Sequence, residues 1–459
     1  MTGDTLEAAS ESVVRAAILS SMQVIRQGLV ITIAVLAAHL SLAQANSPWQ
    51  MQDSGSTAGL RGIYSVDGTV AWASGTGGTV LRTTDAGAHW QQCTIPDAAT
   101  DGATLDFRGV QAWDAQTAIV MASGPGEKSR LYKTADGCLT WRLMLKNNDL
   151  AGFYDSFTFW DRKHGFLLGD PVLKMLVRNE GNPLEYHAGR TSAPFVERTS
   201  KRRRFLTLST IDEGKHWAYW ASGRGFFTED VAADGAAFAA SNSAAFVPFQ
   251  NPPFCWPAPP KATSRSWIGI GGKGGARILT GFSNMTDVCL PTKPTERIKP
   301  TPQDELRFAW SKAVEVPLAG GTDSSGVFSL AFRQEISRSH IDDVRQTSPI
   351  SDDHGYLNGV AVGGDYSKPN DGAASAAWSS DSGWTWTASA KPPHGYRSSV
   401  QWSEALHAWI TVGTNGSDIS RDDGKTWQPI DDGNWNALSL PFVVGPNGRI
   451  ARLNAAALK

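Results

Sequence analysis

Short apolar segments alternate with Gly- and Asp-rich turns along most of the chain. The first group reads LRGIYSV (Leu60–Val66), VAWASG (Val70–Gly75) and TVLRTTD (Thr79–Asp85), and FRGVQAW, AIVMASG and RLYKTAD repeat its order further on. No long stretch has apolar residues at every third or fourth position, the spacing of an amphipathic helix. The pattern therefore predicts an all-β chain of short strands joined by tight turns.

An eight-residue turn motif, Ser/Thr-x-Asp-x-Gly-x-x-Trp, follows several of these groups. It occurs as TTDAGAHW, TIDEGKHW, SSDSGWTW and SRDDGKTW, and a fifth copy, TADGCLTW, has Cys138 at the glycine position. Asp can accept backbone N–H groups in a tight turn, Gly can take a positive φ, and Trp can fill an apolar layer between sheets. We therefore expect a structural role for five Asp and Trp pairs: Asp85 and Trp90, Asp136 and Trp141, Asp212 and Trp217, Asp381 and Trp386, Asp422 and Trp427.

Repeats of the strand group give seven units. They begin near Leu60, Phe107, Tyr154, Ala237, Val327, Tyr396 and Trp435, and the fourth and seventh lack the turn motif. A spacing of 51 residues from Asp85 to Asp136, and of 41 from Asp381 to Asp422, suits four-stranded blades. The gap of 76 residues from Asp136 to Asp212 requires an insertion. We place loop insertions at 176–204, 248–264, 287–304 and 334–355.

The last unit is one strand short. It contains only ALSL, FVVG and GRIARL before the sequence stops at Lys459, whereas SPWQMQD (Ser47–Asp53) has the composition of the missing strand. If the two segments share the last blade, the ring closes and no sheet edge is left open. The predicted fold is a seven-bladed β-propeller that forms a single domain over residues 46–459.

The N-terminal segment has the features of an export signal. Arg26 precedes a fifteen-residue apolar run from Gly28 to Leu42, and the small-residue pattern Ala43-Gln44-Ala45 follows. We expect residues 1–45 to be a signal peptide, with Met22 as an alternative translation start, and the mature protein to be periplasmic or extracellular. The competing interpretation is an uncleaved anchor, although the run is shorter than the roughly 20 residues that span a bilayer.

Charge and motif content exclude several function classes. A formal net charge of −2 supplies no field that would attract nucleic acid or an anionic membrane. GIGGKG (Gly269–Gly274) fits a dinucleotide-binding pattern, but the strand-like ARILT follows it instead of a helix. None of the four cysteines has C-x-x-C spacing, and Cys255 and Cys289, which flank one irregular region, are the only pair expected to form a disulfide. We expect a monomer with no metal and no cofactor.

The turn motif resembles the Asp box, or BNR repeat, of sialidase-like propellers, where it is a non-catalytic hairpin between the third and fourth strands of a blade. Longer phrases, including FRGVQAWDAQTA, FWDRKHGFLLGDPV, LAGGTDSSGVFSLAFR and GVAVGGDYSKP, are similar to the bacterial relatives of the photosystem II assembly and stability factor. The resemblance spans Trp49 to Leu453 and implies a seven-bladed propeller. In plants and cyanobacteria, members of that family chaperone the precursor of a photosystem core subunit.

The resemblance also implies where a ligand would bind. In such a propeller the first strand of each blade begins at the mouth opposite the Asp boxes, so equivalent residues form a ring there. The ring positions hold Arg61, Arg108, Asp155, Phe238, Phe328, Arg397 and Asn436, and the loops between second and third strands add Glu127, Asp170 and Asp365.

Three arginines at one opening suit a carboxylate or phosphate, because each guanidinium can make two parallel bonds to an oxyanion. We predict a binding site for a protein segment or an anionic ligand made of Arg61, Arg108, Asp155, Asp170, Asp365, Tyr396 and Arg397. The alternative is that Arg61 and Arg108 simply pair with Asp155 or the loop acids. We expect a non-catalytic exported scaffold.

The rival function is a secreted sialidase-like glycoside hydrolase. Sialidases also use an arginine triad, together with a tyrosine nucleophile activated by a carboxylate and a separate acid. Tyr154, Tyr366 and Tyr396 are near the predicted mouth, but the sequence assigns no Tyr–Glu pair.

Overall fold

The computed structural model describes residues 47–159, 161–179, 195–219, 235–239, 241–246, 263–284, 307–310, 313–334 and 357–459. The predicted signal peptide, Cys255 and Cys289 lie outside these ranges. In the described residues the only helices are short 3-10 turns, which include Gly102–Thr104, Gly126–Lys128 and Ala455–Leu458. No helix in these ranges is long and apolar enough to cross a membrane.

The chain divides into two compact units, residues 51–453 and residues 1–50 with 454–459. In the smaller unit, Asn454 donates from its backbone N–H to the Pro48 carbonyl (2.8 Å) and from its side-chain amide to the Ser47 carbonyl (3.2 Å). The larger unit contains the repeats, and its described residues form β-strands joined by turns and short 3-10 segments.

Seven antiparallel blades follow one another along the chain. Blade 1 consists of β2 (Leu60–Ser65), β3 (Ala71–Gly75), β4 (Val80–Thr83) and β5 (Gln91–Gln92), and blade 2 of β6 (Phe107–Ala112), β7 (Ala118–Ala122), β8 (Arg130–Thr134) and β9 (Arg142–Asn147). Blade 3 consists of β10 (Tyr154–Phe159), β11 (Gly165–Asn179), β12 (Phe195–Thr210) and β13 (Ala218–Tyr219). Blade 4 has β14 (Ala245–Phe246), β15 (Thr263–Ile270) and β16 (Arg277–Asn284), with both β17 (Arg307–Trp310) and β18 (Val314–Glu315) paired to β16.

The remaining blades are more regular. Blade 5 consists of β19 (Ser325–Gln334), β20 (Leu357–Asp365), β21 (Ala376–Ser379) and β22 (Thr387–Ala388), and blade 6 of β23 (Ser399–Ser403), β24 (Ala408–Gly413), β25 (Gly416–Ser420) and β26 (Gln428–Asp431). Blade 7 contains β27 (Ala437–Ser439), β28 (Phe442–Val444) and β29 (Ile450–Leu453), in a sheet of order β1-β29-β28-β27 that includes β1 (Trp49–Gln52).

The first strands of the seven blades form a closed ring. Each contacts the next in the order β2, β6, β10, β14, β19, β23 and β27, and β27 contacts β2 again. Asn436 of blade 7 donates its side-chain amide to the Leu60 carbonyl (2.7 Å), and the Leu60 N–H donates to the Gly445 carbonyl (3.1 Å). The prediction of an all-β, seven-bladed propeller is therefore confirmed.

The insertion predicted as a loop at 176–204 is wrong in its described parts, because β11 and β12 extend into it. Residues 174–178 pair with 195–199, and Val177–Asn179 also pair with Leu145–Asn147 of β9. Blades 2 and 3 thereby join into one eight-stranded sheet. The charged residues of this segment suggested a loop, but charged side chains are common on exposed outer strands.

The five Asp-containing turns share one hydrogen-bond pattern. In the first, Asp85 accepts the His89 backbone N–H (3.0 Å), while the Thr83 hydroxyl accepts the N–H of Gly87 (3.0 Å). The other turns repeat both bonds, with Cys138 in place of glycine in the second. Backbone N–H donation from His89 lowers the pKa of Asp85 to about 2. These hydrogen bonds stay within each turn and engage its Asp carboxylate, so the carboxylate is not available to a ligand.

The tryptophans of these turns have two kinds of hydrogen-bond partner. Trp217, Trp386 and Trp427 are buried, and each indole N–H donates to the glycine carbonyl of its own turn. Trp90 donates instead to the Gln52 side chain (3.1 Å), and Trp141 donates to the Thr94 carbonyl of blade 1 (2.8 Å). The last two therefore link neighbouring segments through hydrogen bonds as well as packing.

A disulfide joins Cys93, just after β5 of blade 1, to Cys138 in the turn of blade 2. The expectation that Cys255 and Cys289 were the only candidates is wrong. The two bonded cysteines are 45 residues apart, close to one blade repeat, and the ring brings the outer strand of one blade against the turn of the next. Residues that are one blade repeat apart in sequence can therefore be in direct contact.

Replacing Trp427, which is 0% exposed, with alanine should lower the free energy of unfolding by about 3–5 kcal/mol, the usual loss for a large buried aromatic side chain. Trp384, which is 43% exposed in the preceding Asp turn, is the matched control, and its replacement should cost less than about 1 kcal/mol. Urea unfolding of both variants measures the difference. Equal losses would contradict the assigned packing.

Candidate functional site

A β-bulge occurs at the ring position in four of the blades. The pairing register shifts between Leu60 and Gly62, and again at the same place in β6, β10 and β19. The extra residues are Arg61, Arg108, Asp155 and Phe328. A bulge bends the strand and changes the direction of its extra side chain. These four residues therefore occupy one equivalent position at the start of their strands.

This position lies at the end of the ring opposite the Asp turns, which we call the mouth. In blade 1, Leu60 pairs with Gly75 at the end of β3, whereas Ala71 at the other end of β3 pairs with Thr83, just before the Asp turn. The start of β2 and the loop between β3 and β4 thus share one edge of the blade.

Arg61 and Arg108 converge on one carboxylate. Arg108 donates from Nε to Asp106 Oδ2 (2.9 Å), and Arg61 Nε forms an ion pair with Asp106 Oδ1 at 3.2 Å. The two arginine side chains are 29% and 36% exposed. The contact of Arg61 with Asp106 is an ion pair without hydrogen-bond geometry, and in the described residues no hydrogen bond involves the terminal guanidinium nitrogens of either arginine. The terminal guanidinium N–H groups of both arginines are therefore near solvent and can donate hydrogen bonds.

Close approach of β2 and β6 depends on Gly62. A Cβ at this position would lie 3.0 Å from the Arg108 carbonyl oxygen and 2.5 Å from the Ser74 hydroxyl. The Arg-Gly dipeptide thus combines the Arg61 side chain with the space that lets the neighbouring blade bring its own arginine alongside.

Asp155 of blade 3 lies near Arg108 and Asp170. Asp155 is buried, and desolvation raises its pKa well above the ordinary value, an effect that the nearby charge of Asp170 increases and that of Arg108 opposes. Asp170 accepts the Ala237 backbone N–H (3.2 Å). The structure therefore brings together four predicted residues, Arg61, Arg108, Asp155 and Asp170, and adds Asp106, which sequence reasoning missed. Its position two residues before Arg108, in the phrase DFRG, was the available signal.

Arg397 does not join this pair as a free donor, contrary to expectation. It is 0% exposed and donates from Nε to Asp418 (2.7 Å), and from Nη1 to the Tyr396 carbonyl and the Asn415 side chain (2.6 Å each). Nη2 contacts Asp418 and His394. Burial lowers the pKa of Arg397, although the charge of Asp418 counteracts this. Arg397 therefore pairs inside its own blade with Asp418, a residue outside the predicted set.

Aromatic residues occupy the ring positions of blades 4 and 5. Phe238 stacks on Phe328 with ring centres 4.0 Å apart, and Tyr396 packs edge-on against Phe328 at 4.9 Å. Burial raises the pKa of the Tyr396 hydroxyl. Asp365 is engaged within its own loop, where hydrogen bonds from the Ser324 and Ser367 hydroxyls lower its pKa.

Residues 241–243 of blade 4 form hydrogen bonds to three other blades across the ring. The Ser241 hydroxyl donates to the Ser398 carbonyl of blade 6 (2.7 Å), a bond that skips blade 5. Asn242 accepts the Phe157 N–H of blade 3 (2.8 Å), and the Ser243 hydroxyl donates to that of Ser329 in blade 5 (2.7 Å). This crossing replaces a regular first strand, which explains why β14 has only two residues.

The described residues contain no group of three or more His, Cys, Asp or Glu that could hold a metal ion.

Searches with protein-family models found no match to the chain, and no curated protein matches its sequence. Among solved structures it is similar to YCF48 bound to D1 peptide, at 14% identity and a TM-score of 0.46, covering 89% of this chain and 97% of that one. YCF48 from Cyanidioschyzon merolae is similar at 14% identity and a TM-score of 0.46, with coverage of 89% and 100%. A third structure, the computationally designed Ika8 protein, has 9% identity, a TM-score of 0.39 and coverage of 87% and 97%.

Replacing Arg397 with methionine should destabilise the protein by about 3–5 kcal/mol, because it leaves the buried Asp418 without its counter-charge. Arg61→Met, which breaks a half-exposed pair, should cost at most about 1 kcal/mol. Urea unfolding followed by tryptophan fluorescence compares the two. Similar midpoints would mean that Arg397 is not held as described.

Proposed function

We propose that the protein is a non-catalytic scaffold that binds a carboxylate of a partner protein at the mouth, through Arg61 and Arg108. One observation carries this proposal: two guanidinium groups on neighbouring first strands share Asp106 through Nε, and their terminal nitrogens have no partner among the described residues. A guanidinium held in place by one bond can offer its remaining fork to a carboxylate in a bidentate geometry. Two positive charges against one negative charge leave the pair attractive to an anion.

The surrounding charge favours a single carboxylate over a polyanion. The arginine pair carries two positive charges, Asp106 offsets one of them, and the formal net charge of the chain is −2. A polyanion such as a nucleic acid needs an extended positive surface, whereas one Asp, Glu or chain terminus needs only the two guanidinium groups. The sequence resemblance to an assembly-factor family also implies a protein client.

Two features favour binding over glycoside hydrolysis. Arg397, required as the third arginine of a sialidase-like triad, uses its donors internally. Tyr396 is buried with a raised pKa, which is the opposite of an activated nucleophile.

We also propose that the chain is exported and that its five Asp turns are Asp boxes with a structural role. The Cys93–Cys138 disulfide supports an oxidising compartment, since such bonds are rare in the cytosol. Closure of the last blade by Ser47–Asp53 belongs to the same proposal. It is supported by the sheet order and by the bond from the Gln52 amide to the Ala86 carbonyl (3.1 Å).

An array of short peptides that differ only in Glu against Gln, and in a free against an amidated C-terminus, tests the proposed function. The parent protein should prefer the carboxylate-bearing members, and its binding should weaken as salt rises. The Arg61→Ala/Arg108→Ala variant should lose at least about tenfold in affinity, equivalent to about 1.4 kcal/mol.

Arg162→Ala is the matched control, since Arg162 is an exposed arginine paired with Asp114 (2.8 Å) away from the mouth. It should bind like the parent. A parent protein without preference for carboxylates, or a double variant with unchanged affinity, would refute the proposal.

A further inference from the structure

The connection between blades 1 and 2, residues 94–106, ends at the carboxylate that holds both mouth arginines. We propose that this segment, the interblade loop, positions Arg61 and Arg108 for binding, and that Arg130 and the Cys93–Cys138 disulfide set the affinity of the mouth by anchoring it. The inference rests on the proposed function and assigns positioning residues that lie outside the ligand contact.

The loop is tied to blade 2 where it begins. Cys93 immediately precedes it and is bonded covalently to Cys138. The next residue, Thr94, accepts the indole N–H of Trp141 through its carbonyl (2.8 Å). Both partners belong to the Asp turn of blade 2, so the loop starts from a point that cannot move independently of that blade.

Its middle is held by a buried arginine of β8. Arg130 is 7% exposed and binds Asp101 in a bidentate manner, with Nη2 to Oδ2 at 2.6 Å and Nη1 to Oδ1 at 2.8 Å. The Tyr132 hydroxyl donates to Asp97 (2.5 Å). Charge-assisted bidentate pairs are stronger and more directional than neutral hydrogen bonds, so this contact fixes the path of the loop.

Its end is held from both sides. The Gly78 N–H of blade 1 donates to the Leu105 carbonyl (2.8 Å), and the Ser123 N–H of blade 2 donates to the Asp106 carbonyl (2.9 Å). A Cβ on Gly78 would lie 2.4 Å from the Gly102 carbonyl oxygen, so the loop packs directly on blade 1. Hydrogen bonds from both blades therefore fix the backbone of Asp106, and with it the position of the carboxylate that contacts both arginines.

Loosening the anchors should weaken binding without removing any ligand-contacting group. Arg61 and Arg108 are long side chains, and a fixed Asp106 reduces the conformational entropy that they lose when a ligand binds. If Asp106 moves, the forks lose their shared orientation and the ligand must order them itself.

The test compares a Glu-bearing peptide with the parent protein and with variants at the anchors. Arg130→Met, Asp101→Asn and the pair Cys93→Ser/Cys138→Ser should each weaken binding by at least about threefold, the cost of ordering one flexible side chain. Asp101→Glu, which keeps the charge, should restore part of the affinity. Amide hydrogen exchange in residues 94–106 should become faster in the same three variants.

Lys133→Met is the control, since Lys133 pairs with Glu213 (3.0 Å) in another blade and does not contact the loop. It should leave peptide affinity and loop exchange unchanged. Asp101 is partly exposed, so its variant keeps the test valid if Arg130→Met fails to fold.

Unchanged affinity in folded Asp101→Asn, or a loss shared equally by Lys133→Met, would overturn the positioning role. If the anchor variants bind like the parent while Arg61→Ala/Arg108→Ala does not, only this inference fails. If the parent does not bind the peptide, the proposed function fails and this inference with it.

Discussion

The contact of each first strand with the next around a closed ring is the constraint on which the rest of the structure depends. Seven strands that must all pack against two neighbours leave little space between blades, and Gly62 meets that limit where blades 1 and 2 approach. The same closeness places Arg61 beside Arg108 and allows both to reach Asp106. The arginine pair is therefore a product of ring geometry combined with bulges at the start of the strands.

The side chains at the ring positions have different surroundings in different blades. In blades 1 and 2 the extra residue of the bulge meets solvent and a shared carboxylate, whereas in blade 5 it joins an aromatic cluster with Phe238 and Tyr396. In blade 6 the equivalent arginine is enclosed by Asp418 and Asn415. In blade 4, residues 241–243 instead form hydrogen bonds to blades 3, 5 and 6.

The repeat pattern was enough to predict the blades, the Asp turns and the equivalence of Arg61, Arg108 and Asp155, because each depends on local order within one repeat. Arg397 is buried because it pairs with Asp418 in another strand of its blade, and the alignment of first strands carries no information about that contact. Cys93 and Cys138 become neighbours only through packing between blades. The extension of β11 and β12 also escaped prediction, since charged residues are compatible with both a loop and an exposed strand.

In the proposed complex, Arg61 and Arg108 together hold a carboxylate of the partner. Arginine Nε–H signals in a protein labelled with ¹⁵N at arginine report on each guanidinium directly. Titration with a Glu-bearing peptide should shift the signals of Arg61 and Arg108, while Arg397, which is 0% exposed and bonded to Asp418, should stay unchanged as an internal reference. Shifts confined to other arginines, with Arg61 and Arg108 unaffected at saturation, would contradict the account.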